Sequence, residues 1–492
     1  MSKNNRTIHI IAAMLTTLAV LCGCRHEAEP PAPFGACPTP RQVAWQRMEI
    51  NMFCHFGPNT FTGREWGDGQ EAESLFNPTA LDCRQWVAVA EQAGMRGIIL
   101  TAKHHDGFCL WPSKQSTHTV AQSPWRGGKG DVLQELRNAI DEHNRQALQA
   151  GNSHKPIQMG VYISPWDRNH PTYGTDEYNE VFVNTLREVH TAYGPMFEQW
   201  FDGACGEGPN GKKQHYDWPR FMQTMSELNP NAIVFSDIGP GCRWVGNEEG
   251  RAGETCWSTL NTEGATPSEN KPAPEVLTVG HQGGSQWVPA ECDVSIRPGW
   301  FWHPDEHPKT VDELMEIYFN SVGHNGLLLL NVPPDTIGRI CAEDSAVLVA
   351  FRAERDRIFA RDMTQGAKAR AMHRPGHRAK NVLDTAYHTY WAATAKEANL
   401  TLALDSVAEF DIIVIQEYIP LGQRVTSVGL AIDECDGIYP QTTPDHPLCT
   451  TVGYKRIVRL DAPMRTDRLV FTFRALAPPV INRIALFNSK GK

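Results

Sequence analysis

Between Ile50 and Ala360, short apolar runs alternate with segments whose apolar residues recur at helical spacing, and no other feature narrows the fold as far. "INMFCHFG" reads as a strand. In "DCRQWVAVAEQAG", Trp86, Val87, Ala90 and Ala93 fall on one helical face, with Gly94 as a stop. "MRGIILTAKHHDGF" is a strand that runs into a loop, and "DVLQELRNAIDEHNRQALQA" is a helix with Asp131 at its cap. Strand "IQMGVYISPW", helix "DEYNEVFVNTLREVHTAYG", strand "MFEQWFDG", helix "YDWPRFMQTMSELNP" and strand "AIVFSDIGP" continue the alternation. Helix "TVDELMEIYFNSVG", strand "LLLLNVPP" and helix "AEDSAVLVAFRAERD" complete it. Strands that are apolar throughout belong to a parallel sheet covered on both faces. The length and number of units predict an α/β fold, a (β/α)8-type barrel over residues 43–362. A doubly wound sheet fits less well, because no glycine-rich dinucleotide fingerprint opens a helix.

The strands share an ending. His55, His104-His105-Asp106, Trp166-Asp167, Asp202, Asp237 and Asp293 each follow or close an apolar run. In a barrel those ends meet at one mouth, where chemistry gathers. After about Met363 the character changes to short, mostly alternating strands separated by turn signals, such as "NLTLALDS", "FDIIVIQEY" and "DRLVFTFRA". They predict a β-sandwich of jelly-roll type over residues 363–492.

The N-terminus is a targeting segment by pattern. Lys3 and Arg6 precede an apolar run from Ile8 to Leu21, too short for a membrane span, which ends in Leu21-Cys22-Gly23-Cys24. This resembles a bacterial lipobox. It predicts a lipoprotein signal peptide over 1–23, a lipid on Cys24, and an exported protein anchored in the periplasm or at the outer membrane surface. The Pro-rich residues 24–42 read as a tether. A net charge of −10 argues against a nucleic-acid partner. The thirteen cysteines show neither zinc spacing nor a disulfide framework, though one or two bridges are compatible with them.

Two clusters carry chemistry. "TAKHHDGF" sets two histidines and an aspartate at a strand end. Neighbouring strand residues point oppositely, so both histidines reach one pocket only if the strand has already ended, as Gly107 permits. Binding of sugar hydroxyls, a metal site and loop polarity all remain open for them, and a metal would lack a second histidine cluster. "GCRWVGNEEG" offers Glu248 and Glu249. A solvated acidic turn is the plain reading, yet beside Asp202 either could complete the carboxyl pair that glycosidic bonds require. No G-x-S-x-G supports an acyl-transfer hydrolase. Fourteen tryptophans and nineteen histidines suit a sugar site, since flat rings stack on sugar faces, although any one Trp is more often core.

"MFCHFGPNTF", "REWGDG", "TAKHHDGFCLWPS", "GVYISPWDRN", "QWFDGACGEG", "VFSDIGPGCRWVGNEEG", "SIRPGWFW" and "LLLLNVPP", in order from about Trp45 to Arg361, together resemble the retaining α-L-fucosidases of glycoside hydrolase family 29. The C-terminal part resembles the galactose-binding-like sandwich that follows the barrel in that family. The resemblance implies a covalent glycosyl-enzyme mechanism, with Asp202 as nucleophile and Glu248, rather than Glu249, as general acid/base. It implies fucose binding by His55, Glu65, Trp66, His104, His105 and Tyr162, with Trp300 stacking on the sugar and Arg243 as a looser match. "PWDRN", "CGEGPNG" and "RPGWF" look like the branch that cleaves α-1,3 and α-1,4 fucosyl linkages on Lewis-type glycans, although His324 stands where that branch has Arg. No metal or organic cofactor is implied. The partners would be fucosylated oligosaccharides or glycoconjugates, with membrane contact only through the lipid. The competing readings are a non-catalytic glycan-binding lipoprotein, a barrel glycosidase acting on another sugar, and a metal-dependent hydrolase.

Overall fold

The computed structural model describes residues 29–151, 156–434, 437–443 and 445–490; the expected leader and Cys24 lie outside them. Eight parallel strands close into a barrel in chain order. They are β1 (Ile50–Cys54), β2 (Gly97–Lys103), β3 (Gln158–Ile163), β4 (Glu198–Trp200), β5 (Ile233–Ser236), β6 (Cys242–Trp244), β7 (Ala290–Ser295) and β8 (Leu327–Asn331). β8 pairs with β1 from Ile50↔Leu328 to Phe53↔Asn331 and shuts the ring. Seven of these strands lie at the apolar runs or the Asp293 end read from the sequence. β6 has three residues flanked by glycine-rich turns, too few to show a period. It follows β5 through residues 237–241 with no helix between, so the β/α alternation is interrupted there.

The covering helices start where local chemistry starts them. Asp82, Asp131 and Asp217 each accept an amide N–H at the head of α2 (Cys83–Gln92), α3 (Val132–Gln149) and α5 (Trp218–Leu228). Thr310 and Glu313 form a capping box at α6 (Val311–Ser321). α4 (Asp176–Ala192) and α7 (Ala342–Ile358) complete the ring.

An earlier helix, α1 (Pro40–Gln46), spans the expected boundary between tether and barrel at residue 42. Its Trp45 packs with Phe53, Ile99, Tyr162 and Trp200 inside the barrel and donates to Glu198 Oε2 at 2.7 Å. The residues before α1 also lie down. Phe34 N–H bonds Leu421 O at 3.1 Å, and Arg424 donates to Ala32 O at 2.7 Å.

The C-terminal domain is one antiparallel hydrogen-bonded network of seven strands. "NLTLALDS" and "FDIIVIQEY" belong to one strand, Glu397–Glu417, and a second long strand runs Arg456–Ala475. The polar residues read as turns sit where the register of this pair shifts, between Ala403 and Ala408 and between Phe410 and Ile412. Leu400, Leu402, Ile413 and Ile415 all reach this domain's core, while Ile412 and Val414 pack into the barrel's outer core. That second burial explains why "DIIVI" is apolar without alternation. The ten cysteines among the described residues are free thiols.

Candidate active site

At the C-terminal mouth of the barrel a pocket of about 160 Å³ is lined by Phe53, His55, Glu65, Trp66, His104, His105, Tyr162, Trp200, Asp202, Ala204, Glu248, Asp293 and Trp300. Nine of the ten catalytic and binding residues expected from the sequence meet there. Arg243 does not. It lies on β6 with 0% exposure, and its guanidinium donates to the backbone carbonyls of Leu277 (2.8 Å), Trp257 (3.0 Å) and Val288. It ties together the excursion between β6 and β7, bonding one carbonyl of the short helix Pro274–Val279 and two that flank the two-stranded ladder of Thr259–Leu260 with Gln286–Trp287.

Asp202 follows β4. Tyr162 OH, from β3, donates to its Oδ2 at 2.9 Å, and Ala204 N–H donates to its Oδ1 at 2.7 Å. The neighbouring glycines are required by packing. A Cβ at Gly203 would stand 2.2 Å from Asp237 Oδ2, and one at Gly206 would stand 2.0 Å from the Trp166 ring.

Both histidines of "HHDG" face the pocket, as the end of the strand requires. The β2–β3 register shifts between Thr101 and Lys103, and Gly107 turns the chain at φ +84° where a Cβ would meet Asp167 Oδ1 at 2.3 Å. Asp167 steadies the turn. Burial alone would raise its carboxyl, but Lys103 at 3.0 Å and the amides of His170 and Asn169 hold it below the usual range.

The ring protons follow from the network. Ser164 Oγ donates to Trp166 O at 2.9 Å, so it accepts from His105 Nδ1 at 2.8 Å. Asn331 Oδ1 likewise accepts from His55 Nδ1 at 2.9 Å. Each ring therefore keeps a bare Nε2 as an acceptor for a hydroxyl; that of His105 lies 3.6 Å from Asp202 Oδ2. Burial keeps both rings neutral, lowering His55 to about 3 and His105 to about 4. His104, stacked against Tyr162, is also pushed well below the usual histidine range by burial, and its Nδ1 has no partner.

Glu65 and Trp300 act on each other. Glu65 Oε2 accepts the Trp300 N–H at 2.7 Å, and Oε1 meets His303 Nε2 at 2.6 Å. Its carboxylate thus anchors the loop that carries the Trp300 ring, which stands 5.1 Å from His55. Trp66 is 59% exposed and meets His105 and Trp166 edge-on at the rim.

Glu248 and Glu249 part company. Glu249 turns out to pair with Arg251. Glu248 reaches the pocket, and its Oε2 accepts from Trp300 Nε1 at 3.3 Å. Desolvation raises the Glu248 pKa, the indole N–H opposes the rise, and the negative charges of Asp202 and Glu65 add to it.

Asp293, a strand-end carboxyl to which the sequence reading gave no role, is a fourth acid in the pocket, beside Glu65, Asp202 and Glu248. It is buried, its Oδ1 has no partner, and burial followed by the Glu248 charge raises it well above the aspartate range. Its position in the strand-end series was the only available signal. The remaining strand-end acids serve loops: Asp106 holds the Phe108 amide at 2.7 Å, and Asp237 holds Lys271 at 2.7 Å. His324 lies away from the pocket, with Nδ1 3.3 Å from Ala252 O. Among the described residues, the one trio with metal-ligand spacing, Glu198, Cys242 and Glu291, is inside the barrel and does not include the histidine pair.

The arrangement offers the Asp202 carboxyl group held by two donors, the Glu248 carboxyl group with its raised pKa, two neutral histidine acceptors, a phenol and aromatic walls around a space worth about five water molecules. That is equipment for one sugar ring and an acid–base pair.

Residues 40–352 match the family model described as alpha-L-fucosidase. The chain is 41% identical over 471 residues to Alpha-L-fucosidase 1 of Arabidopsis thaliana, covering 94% of this chain and 89% of the relative. Its fold is similar to the crystal structure of SpGH29, with TM-score 0.86 and 34% identity, covering 93% of this chain and 99% of that one. It is also similar to a Ruminococcus gnavus GH29 fucosidase solved in complex with fucose, with TM-score 0.82 and 30% identity, covering 94% and 97%.

Proposed function

The chain belongs to the alpha-L-fucosidase family of glycoside hydrolases, and from that premise we propose that it releases terminal L-fucose from α-1,3 and α-1,4 linkages of Lewis-type glycans by double displacement. The observation that carries this reading is that Asp202 and Glu248 line the same small pocket while Glu249 does not. Asp202 is the nucleophile. Its two oxygens are aimed by Tyr162 and the Ala204 amide, so little reorganisation precedes attack on the anomeric carbon. Glu248 protonates the leaving oxygen. Its raised pKa keeps the proton available, and after the first step the same group activates water. The bare Nε2 atoms of His55 and His105 accept sugar hydroxyls, and the Trp300 ring covers the sugar. Phe53 and Trp200 offer an apolar wall that suits the methyl group of fucose, which a primary hydroxyl would leave unsatisfied. The linkage preference rests on the likeness of "PWDRN", "CGEGPNG" and "RPGWF" to that branch. We place the protein outside the cytoplasm, anchored through Cys24, on the strength of the lipobox-like ending. Mass spectrometry of the mature N-terminus tests that placement, and an unmodified start at any other residue rejects it.

The mechanism is tested by Asp202→Asn and Glu248→Gln. The first should lose several orders of magnitude in rate while folding normally. The second should fail mainly on poor leaving groups. Azide should rescue the two with opposite product stereochemistry, and proton NMR of the first wild-type product should show the retained anomer. An inverted product, or an active Asp202→Asn protein, rejects the assignment. Crippling by Glu249→Gln instead rejects only the choice within the glutamate pair. In competition, 2'-fucosyllactose as the best substrate rejects the linkage assignment.

A further inference from the structure

At the end of the barrel opposite the pocket, the start of β1 and β2, helix α7 and the C-terminal domain enclose a groove of about 400 Å³. Six cations line it: Arg47, Arg96, Arg352, Arg355, Lys455 and Arg483. Its only acidic lining residues are Glu49 and Asp356. Both acids are already engaged. Glu49 accepts from Lys455 Nζ at 2.5 Å and Tyr454 OH at 2.8 Å, and Asp356 accepts from Arg352 Nε at 2.7 Å. Arg483 is held by Asp362, outside the lining.

Three guanidinium groups are left over. Arg47 lies over the Tyr387 ring at 4.4 Å. Arg96 makes no side-chain hydrogen bond or ion pair among the described residues. Arg355 donates to Ala93 O at 2.7 Å, but its buried Nε has no partner. Burial lowers the pKa values of Arg96 and Arg355; the charge of Arg352 lowers both further, Glu49 opposes the shift in both, and Tyr318 and Asp356 also oppose it in Arg355. A chain of net charge −10 has thus gathered surplus positive charge in one groove, where each guanidinium repels the next and hydrogen-bond donors stand unused.

Planar guanidinium forks match the paired oxygens of phosphate and sulfate, and an anion among them would replace mutual repulsion with charge-assisted bonds. We propose that this groove binds a phosphate or sulfate group, either as the free ion or as the terminal ester of a larger molecule, between the barrel and the C-terminal domain. The groove is roomier than the anion alone needs, which leaves space for the carbon body of an ester. An occupant would touch α7, the β1–β2 edge and the C-terminal sheet at once. It would therefore stabilise the seam by mass action without reaching the sugar pocket.

The test is isothermal titration of the full chain with inorganic phosphate, inorganic sulfate and glucose 6-phosphate, at constant ionic strength set with sodium chloride, with parallel thermal scans. Saturable binding and a concentration-dependent rise in Tm beyond the chloride control are expected from at least one probe. Tighter binding of the inorganic ions identifies a free ion as the occupant, and tighter binding of glucose 6-phosphate identifies an ester. Arg96→Gln should weaken binding at least tenfold. Arg96→Lys, which keeps the charge but loses the fork, should fall between, and both variants should retain wild-type fucosidase activity. No binding above the chloride control overturns the proposal, as does unchanged affinity in a folded Arg96→Gln protein.

Discussion

Glu198 and Glu291 lie side by side inside the barrel, fully buried, one layer below the pocket. One ligand atom from each, with the Cys242 sulfur, falls within a 4.8 Å span. Trp45 donates to Glu198 Oε2 at 2.7 Å, and Trp200, which lines the pocket, donates to Glu291 Oε2 at 2.9 Å; Glu291 Oε1 has no hydrogen-bond partner. Two carboxylates in so apolar a place cannot both ionise readily. Burial raises both pKa values, and the neighbouring Glu198 charge adds to that of Glu291. In the unfolded chain a glutamate releases its proton near pH 4.5, whereas the folded pair keeps it. Stability from this source is therefore complete at low pH and falls as pH rises toward the raised folded value. One retained proton is worth about 1.4 kcal/mol per pH unit, so two units of pH remove about 3 kcal/mol. Glu198→Gln keeps an acceptor for Trp45, supplies an N–H toward the empty Glu291 oxygen and removes the Glu198 share of the proton difference, leaving Glu291 raised chiefly by burial. Relative to wild type, the variant should gain about 3 kcal/mol between pH 5 and pH 7, or roughly 3–4 °C in Tm for a cooperative unit of this size. Differential scanning calorimetry at pH 5, 6, 7 and 8 measures it. A Tm difference that stays constant across that range would refute the shared proton.

Arg243→Met should destabilise the fold by several kcal/mol, because three backbone carbonyls lose their donor at roughly 1–3 kcal/mol each, while KM of the folded fraction stays unchanged. A raised KM with an unchanged Tm would instead place Arg243 on the substrate. Tyr162→Phe keeps the ring packing but removes the hydroxyl donated to Asp202, a charge-assisted bond of about 1.5–3 kcal/mol. A rate loss of roughly 10- to 150-fold is expected with Tm nearly unchanged, and full activity would mean that the phenol does not aim the nucleophile. In the proposed mechanism Glu248 acts in its protonated form, and its pKa is raised, so activity should persist above the ordinary glutamate range and decline as pH rises through the raised value. Trp300→Phe removes the indole N–H that opposes this rise, so the alkaline limb of kcat should move to higher pH; a shift to lower pH would contradict the assigned cause.

Much of the fold was legible because burial writes itself into sequence. Strands covered on both faces read as continuous apolar runs, and the flanking helices carry their spacing and caps locally. Strand β6 was not legible. Its residues 242–244 pair with Phe235 and Ser236 of β5 close by and with Ala290 and Glu291 of β7 far along the chain, and three residues are too few to carry a period of their own. "NLTLALDS" and "FDIIVIQEY" read as two strands where one runs, because polar residues at a register shift resemble turn residues when the partner strand is unknown.

The site divides in the same way. That Asp202, His55 and the "HHDG" histidines stand at strand ends follows from the order of residues alone, since a barrel brings every strand end to one mouth. Direction does not follow from order. The sequence placed Arg243 and Glu248 five residues apart on one segment, with nothing to show that one turns into the protein to bind carbonyls and the other turns to the pocket. It showed Glu65 as a polar residue near a tryptophan, but only the three-dimensional arrangement makes it the anchor of a loop more than two hundred residues away. Residue types and their spacing were enough to determine which groups the barrel could offer. Which of them meet, which stay protonated and which only hold loops was decided by the tertiary structure, because desolvation and hydrogen-bond partners exist only after distant segments have packed together.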